Sequence, residues 1–215
     1  ILAGDALLAG ANGLVAQRGD PRLSSCFSEA TSRTAAGEIL EIASQGRVDT
    51  SAEQYEEMVR GKTAWLIRAA CEMGALAAGA DVAAVAAAAT YGENLGMAFQ
   101  MVDDALDFAP ESATGKPTGG DVREGKLTPP LRLYRESLNE ADRKDFDAAF
   151  TSLSMTEADA EAIALRIREA GFDAAVRAQA DTFLDAARRA LGSLPDKPER
   201  KVMHNMADYV RDRKK

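Results

Sequence analysis

Apolar residues recur along this chain at the three- and four-residue spacing of amphipathic helices, and no segment sustains the strict alternation of a half-buried strand. Good helix formers such as alanine, leucine, glutamate and arginine dominate, and β-branched clusters are few. No turn dipeptide joins two strand-like runs. The pattern predicts an all-α fold, and the absence of linkers or internal repeats favours one helical domain over residues 1–215.

Helix start and stop signals divide the first half of the chain into four helices. They are expected at residues 2–16, from 24 or 25 to 44, 50–78 and 81–108. A capping box at Thr50–Glu53 opens the third helix, and Asp81 opens the fourth. The hydroxyl of Thr128, followed by two prolines, predicts the start of a fifth helix. Shorter helices are expected near 139–150, 156–170, 173–191 and 198–212.

Composition excludes several classes of protein. The 215 residues carry a net charge of −8 with a pI near 4.8, which argues against general binding to nucleic acid. Two cysteines provide no disulfide framework, so a reducing compartment, the cytoplasm, is expected. The alanine- and valine-rich run at 82–90 lies between Asp81 and Glu93 and is too short to span a membrane. We therefore expect a protein that does not cross a membrane.

The chain opens on Ile1 inside an apolar pattern without an initiating methionine or a capping residue. We expect that the natural beginning of the protein lies upstream.

Three carboxylates close the fourth predicted helix. Asp103, Asp104 and Asp107 share a helical stripe with Gly96 and Gln100 through steps of three and four residues. Such a cluster at a helix C-terminus opposes the macrodipole and suffers like-charge repulsion, which a cation relieves. Carboxylate oxygens favour hard Mg²⁺, which is usually held by one or two carboxylates together with substrate phosphates. The cluster thus predicts a magnesium site rather than a solvated helix end.

Lysines lie near this cluster and elsewhere in the chain. Lys116 and Lys126 follow it in a glycine-rich loop, where they offer positive charge to phosphates. Lys62 and Thr63 lie within the third predicted helix, and a lone helical lysine is by default a solvent-facing residue. The Gly61-Lys62-Thr63 run lacks the preceding glycine and strand of a P-loop, so that interpretation fails.

These motifs occur together in a recognisable order. The quoted runs are Leu2-Ala-Gly-Asp-Ala-Leu-Leu8, Gly37-Glu38, Lys62-Thr63, Tyr91-Gly-x-x-Leu-Gly-x-Ala-Phe-Gln-x-x-Asp-Asp-x-Leu-Asp107, Gly115-Lys-Pro-x-Gly-x-Asp121 and Glu124-Gly-Lys-x-Thr128. In order and spacing they resemble the trans (E-type) isoprenyl diphosphate synthases, most closely the bacterial polyprenyl synthases. The resemblance covers essentially the whole chain. It implies an isoprenoid-synthase helical bundle with a central active-site cavity, and it implies a homodimer.

The resemblance also implies a reaction and a set of roles. In this family isopentenyl diphosphate attacks the cation formed when a metal-bound allylic diphosphate ionises. Asp103, Asp104 and Asp107 match the second aspartate-rich motif, which holds Mg²⁺, with Asp103 as the expected direct ligand. The lysines that grip the allylic diphosphate are matched by Lys62, Lys116 and Lys126. Thr63 and Gln100 match the dipoles that face the developing cation.

The chain departs from the family pattern in one major respect. The first aspartate-rich motif and the isopentenyl-binding basic residues would precede Leu2 and are not in this sequence. We therefore expect residues 1–215 to carry half of an active site and to lack synthase activity alone. A non-catalytic partner subunit of a hetero-oligomeric synthase is the alternative function. A terpene cyclase is disfavoured, because such enzymes usually replace the second aspartate cluster by an Asn/Ser/Glu-type metal motif.

Overall fold

The computed structural model describes residues 1–115 and 117–213, and within them the structure contains helices and no strand. The helices are α1 Leu2–Gln17, α2 Pro21–Ser44, α3 Ala52–Val59, α4 Trp65–Ala77, α5 Val82–Leu106, α6 Glu111–Thr114, α7 Gly120–Arg123, α8 Pro129–Ser137, α9 Glu140–Thr151, α10 Glu157–Ala170, α11 Phe172–Leu191 and α12 Pro198–Asp212. A π-helical turn, Arg60–Ala64, joins α3 to α4. The prediction of an all-α fold is confirmed.

Most predicted boundaries agree with the structure, and the exceptions have local causes. The second helix starts at Pro21 rather than Ser24, because Asp20 caps it and proline fits the first helical position. The capping box is present but shifted by one residue, since Ser51 and Gln54 exchange the two hydrogen bonds. Thr128 begins α8 without a side-chain cap, and its Oγ1 is buried without a hydrogen-bond partner in the described part of the chain.

The main core lies between α5 and α11. The buried stripe of α11 follows steps of three and four residues and consists of Val176, Ala180, Leu184, Ala187 and Leu191. It packs on the apolar face of α5, whose small residues let the two helices approach closely. Asp81 caps α5 by accepting a hydrogen bond from Ala84 N at 2.8 Å. The core thus holds α5 in place, and the C-terminal end of α5 carries the aspartate cluster.

A second buried cluster supports the loop after α5. It joins Phe108 and Val122 to the packed aromatic rings of Phe146 and Phe150. Helix α1 contains no buried residue, and its leucines are exposed. Among the described residues, none of the helices is long and apolar enough to cross a membrane.

Candidate active site

A cavity of about 590 Å³ opens where α2, α3, the π turn and the end of α5 meet. Its polar lining includes Glu41, Lys62, Thr63, Gln100, Asp103, Asp104, Asp107, Asp121, Lys126, Thr128 and Arg213. Met58, Val59, Leu106 and Leu127 supply an apolar part of the wall. The cavity therefore combines charged groups with a surface that suits a hydrocarbon chain.

The three aspartates of the cluster line this cavity in three different environments. Asp103 is the most exposed, with 46% of its side chain accessible, and it pairs with Arg213 at 3.0 Å. Asp104 is buried and accepts hydrogen bonds from the Tyr55 hydroxyl at 2.5 Å and from Gln100 Nε2 at 2.8 Å. Of the three, Asp103 is thus the carboxylate with the most access to solutes.

Asp107 is tied to the loop that follows α5. Its two oxygens accept hydrogen bonds from the backbone nitrogens of Gly120 at 3.0 Å and Asp121 at 2.9 Å. A Cβ on Gly120 would lie 3.0 Å from Asp107 Oδ1, so the glycine permits this close approach. Asp107 therefore holds α7 against the end of α5.

The carboxyl groups of Asp104, Asp107 and Asp121 all have raised pKa values. Burial raises the pKa of Asp104 to about 7, although the hydrogen bonds from Tyr55 and Gln100 act in the opposite direction. Burial likewise raises the pKa of Asp107, against its two backbone hydrogen bonds. Loss of solvent and the charges of Asp104 and Asp107 raise the pKa of Asp121 well above its usual range. Ionising all three groups is costly without a cation nearby.

Lys62 and Lys126 reach the cavity from separate elements and meet at Glu41. Lys62 Nζ donates to both oxygens of Glu41, at 2.7 and 2.8 Å, and Lys126 Nζ lies 3.0 Å from Glu41 Oε1. Glu38 lies 3.1 Å from Lys62, and Glu124 lies 2.7 Å from Lys126. Two lysines expected to bind anions are thus held together by carboxylates.

Burial and ion pairing act against each other on these groups. Burial alone would raise the pKa of Glu41, but the hydrogen bonds from Lys62 and Lys126 outweigh it and lower that pKa. Burial lowers the pKa of each lysine, and the ion pairs overcome it, so both lysine pKa values are raised. All three groups are charged at neutral pH.

Thr63 and Gln100 form a chain of hydrogen bonds that ends at Asp104. The Thr63 hydroxyl donates to Gln100 Oε1 at 2.8 Å, and Gln100 Nε2 donates to Asp104. Because the Thr63 hydroxyl donates its hydrogen bond to the amide oxygen of Gln100, its oxygen lone pairs are available to the cavity. The pair therefore presents a fixed dipole beside the carboxylates.

Comparison with known proteins identifies the family. The sequence profile of polyprenyl synthetases matches residues 1–166. The chain belongs to the polyprenyl synthetase family.

Individual members of the family agree closely with this chain in sequence and structure. Component 2 of the heptaprenyl diphosphate synthase of Geobacillus stearothermophilus is 35% identical over 96% of this chain. The decaprenyl diphosphate synthase of Rhodobacter capsulatus superposes with a TM-score of 0.91 at 36% identity over the whole chain. A Caulobacter crescentus polyprenyl synthase, solved with calcium and isoprenyl diphosphate, gives 0.92 at 34% identity and also covers the whole chain.

The polyprenyl synthetase chain described here is shorter than these relatives. It spans 64% of the Geobacillus protein and 66% of both crystal structures.

The structure brings together seven of the residues selected from the sequence. Lys62, Thr63, Gln100, Asp103, Asp104, Asp107 and Lys126 all line the one cavity. Lys116 lies outside the described residues. Within the described residues, no three Asp, Glu, His or Cys side chains are arranged as a ready-made metal site.

Four further residues of the cavity were not assigned a role from the sequence. Glu41 lies three residues after Glu38, which matches the family pattern, so helical spacing could have selected it. Asp121 is the last residue of the Gly115–Asp121 motif. Tyr55 and Arg213 carry no local signal, because each reaches α5 from a distant part of the chain.

Proposed function

We propose that this chain functions as a polyprenyl diphosphate synthase, in the Mg²⁺-dependent head-to-tail condensation of isopentenyl diphosphate with an allylic diphosphate. The observation that carries the proposal is the meeting of Asp103, Lys62 and the Thr63–Gln100 pair in a cavity with an apolar wall. The family membership supports the same reaction.

The residues around the cavity fit a divalent cation. Their donors are carboxylate oxygens, which suit Mg²⁺, and a bound cation would favour the ionised form of Asp104 and Asp107, whose pKa values burial raises. We assign Asp103, Asp104 and Asp107 to this ion, with Asp103 as the direct ligand because it is the most accessible. When bound, the ion stabilises the negative charge of the departing diphosphate.

The chain's own residues supply the remaining parts of the site. Lys62 and Lys126 bind the allylic diphosphate, and Lys116 is proposed as a third cation for it. The oxygen of Thr63, oriented by Gln100, faces the positive charge that develops on the allyl group. A neutral dipole stabilises that charge without forming a bond to it, so no nucleophilic side chain takes part.

Calorimetry tests this function directly. Residues 1–215 should bind farnesyl diphosphate in the presence of Mg²⁺ and much more weakly when EDTA removes the metal. Farnesyl monophosphate is the matched control ligand, because it keeps the hydrocarbon chain and loses one phosphate. Binding that ignores both Mg²⁺ and the second phosphate would contradict the proposal.

The second candidate function is a non-catalytic partner subunit. One observation favours it: the Geobacillus relative is named as one component of its synthase. A subunit freed from catalysis has no reason to keep Asp103, Lys62, Lys126 and Gln100 around one cavity, which argues for the catalytic role. Failure to bind allylic diphosphate in Mg²⁺ would favour the partner subunit.

We further propose a homodimer in the cytoplasm. Leu2, Leu7 and Leu14 of α1 are exposed by 84%, 76% and 68%, and a second copy would bury such apolar surface. Cys26 and Cys71 are both free thiols, as expected of a reducing compartment. In sedimentation velocity, Leu7→Glu should dissociate the dimer. Leu165→Glu on α10, at an exposed leucine outside α1, is the control, and a monomeric wild type would contradict the proposal.

A further inference from the structure

Glycines let the π turn fit between α2 and α5. A Cβ on Gly37 of α2 would overlap the backbone nitrogen of Lys62 and would lie 2.8 Å from its Cα. On the other side, a Cβ on Gly96 of α5 would lie 2.6 Å from the Cα of Ala64. These neighbours are backbone atoms, which cannot rotate away as the end of a flexible side chain can. Any larger residue must therefore displace the turn.

Each of these glycines precedes, by one helical turn, a residue that binds a side chain of the π turn. Four residues after Gly37, Glu41 accepts two hydrogen bonds from Lys62. Four residues after Gly96, Gln100 accepts one from Thr63. Residues four apart lie on the same helix face. Each glycine therefore sets the distance between the π turn and the polar residue, Glu41 or Gln100, on its own helix.

The π turn itself aims these side chains. A π-helical turn inserts an extra residue into an α-helix and shifts the side chains around the helix axis, and such turns are frequent at functional sites. Here Lys62 is directed to α2 and Thr63 to α5, on either side of the cavity. The direction of the Lys62 side chain therefore depends on the close backbone contact between Gly37 and Lys62.

We infer that Gly37 is a positioning residue, which acts through Lys62 by seating the π turn against α2. The inference rests on the proposed function, because the readout is the binding of an allylic diphosphate. Gly37→Ala should push the backbone of Lys62 away from α2 and move its ammonium group from the diphosphate position.

The experiment is a double-mutant cycle between Gly37→Ala and Lys62→Ala, with affinity for farnesyl diphosphate in Mg²⁺ measured by calorimetry. Gly37→Ala alone should raise the Kd about tenfold, the change expected from 1.4 kcal/mol of lost binding. If Gly37 acts through Lys62, then Lys62→Ala should have little further effect in the Gly37→Ala background. Additive losses, or a folded Gly37→Ala protein with wild-type affinity, would overturn the inference.

Gly74→Ala in α4 is the matched control. A Cβ at this helical glycine meets no atom within 4 Å, so affinity should stay unchanged. If Gly37→Ala does not fold, Gly61→Ala replaces it in the same cycle with the same two outcomes. Its Cβ would lie 3.0 Å from Arg33 O, a milder overlap across the same contact. Wild-type protein that binds no farnesyl diphosphate would instead refute the proposed function, and the inference with it.

Discussion

Arg213 forms an ion pair with Asp103 inside the candidate active site, with Nη2 of the arginine 3.0 Å from Oδ1 of the aspartate. The guanidinium also lies 4.6 Å from the centre of the Phe99 ring. A residue next to the C-terminal end of α12 thereby reaches the end of α5. The positive charge of Arg213 stands beside the carboxylate that we assign to Mg²⁺.

We predict that Arg213→Gln strengthens Mg²⁺ binding, because the cation no longer competes with the guanidinium for Asp103. The aspartate is half-exposed and such pairs contribute little, so the Kd should fall by about two- to fivefold. Calorimetric titration with Mg²⁺ measures the change. Arg211→Gln, in an exposed pair with Asp212, should leave the affinity unaltered. Equal affinity in Arg213→Gln and wild type would show that the pair does not compete with metal.

Replacing Asp103 should mainly weaken ligand binding, whereas replacing Asp107 should mainly lower the stability of the fold. Asp103→Ala should weaken Mg²⁺-dependent binding of farnesyl diphosphate at least about tenfold while stability changes little, because the side chain is half-exposed. Asp107→Ala should lower the free energy of unfolding by about 1–3 kcal/mol, since two backbone N–H groups lose their acceptor. Urea unfolding of both variants checks this contrast. A larger stability loss for Asp103→Ala would contradict it.

The stability of the metal-free protein should fall as pH rises through about 7. The pKa of Asp104 is raised by burial from 3.8 to about 7, so its contribution is fully present below pH 3.8 and is lost as the folded carboxyl ionises. The loss amounts to about 4 kcal/mol at most, at 1.36 kcal/mol per pKa unit. Because the loss begins near pH 3.8, only about 1 kcal/mol of it falls between pH 6 and pH 8, and urea unfolding at these two pH values measures that part.

Two comparisons test the origin of that pH dependence. Asp104→Asn replaces the titrating group by a neutral amide and should flatten the profile between pH 6 and pH 8. Saturating Mg²⁺ should also reduce the loss in the wild type, because the cation favours the ionised carboxylate. A wild type that is equally stable at both pH values without metal would argue against a raised pKa.

Lys62→Ala and Lys126→Ala should each weaken farnesyl diphosphate binding, since both ammonium groups line the cavity. Added salt should weaken wild-type binding as well, and the salt dependence should be smaller in each variant. Calorimetry over a range of salt concentrations checks this. Exposed Lys201 on α12 provides the control, and its replacement by alanine should leave affinity intact. Full affinity in both cavity variants would remove these lysines from the site.

The helices were predictable because their signals are local. The apolar stripe of α11, the Asp81 cap of α5 and the prolines that open α8 act within a few residues of chain, and the structure retains each of them. The π turn was not predictable, because no residue of Arg60–Ala64 requires it. The turn lies in close backbone contact with Gly37 and Gly96, which belong to two other helices.

The same division applies to the candidate site. Sequence alone determined the residue types and their helical stripe, since Gln100, Asp103, Asp104 and Asp107 lie on one helix with fixed periodicity. Only the tertiary structure decided how they differ. Packing against Tyr55 buries Asp104, whereas Arg213 leaves Asp103 half-exposed, and these neighbours come from distant parts of the chain. Environments set by long-range packing, and the pKa values they produce, are absent from any local pattern of residues.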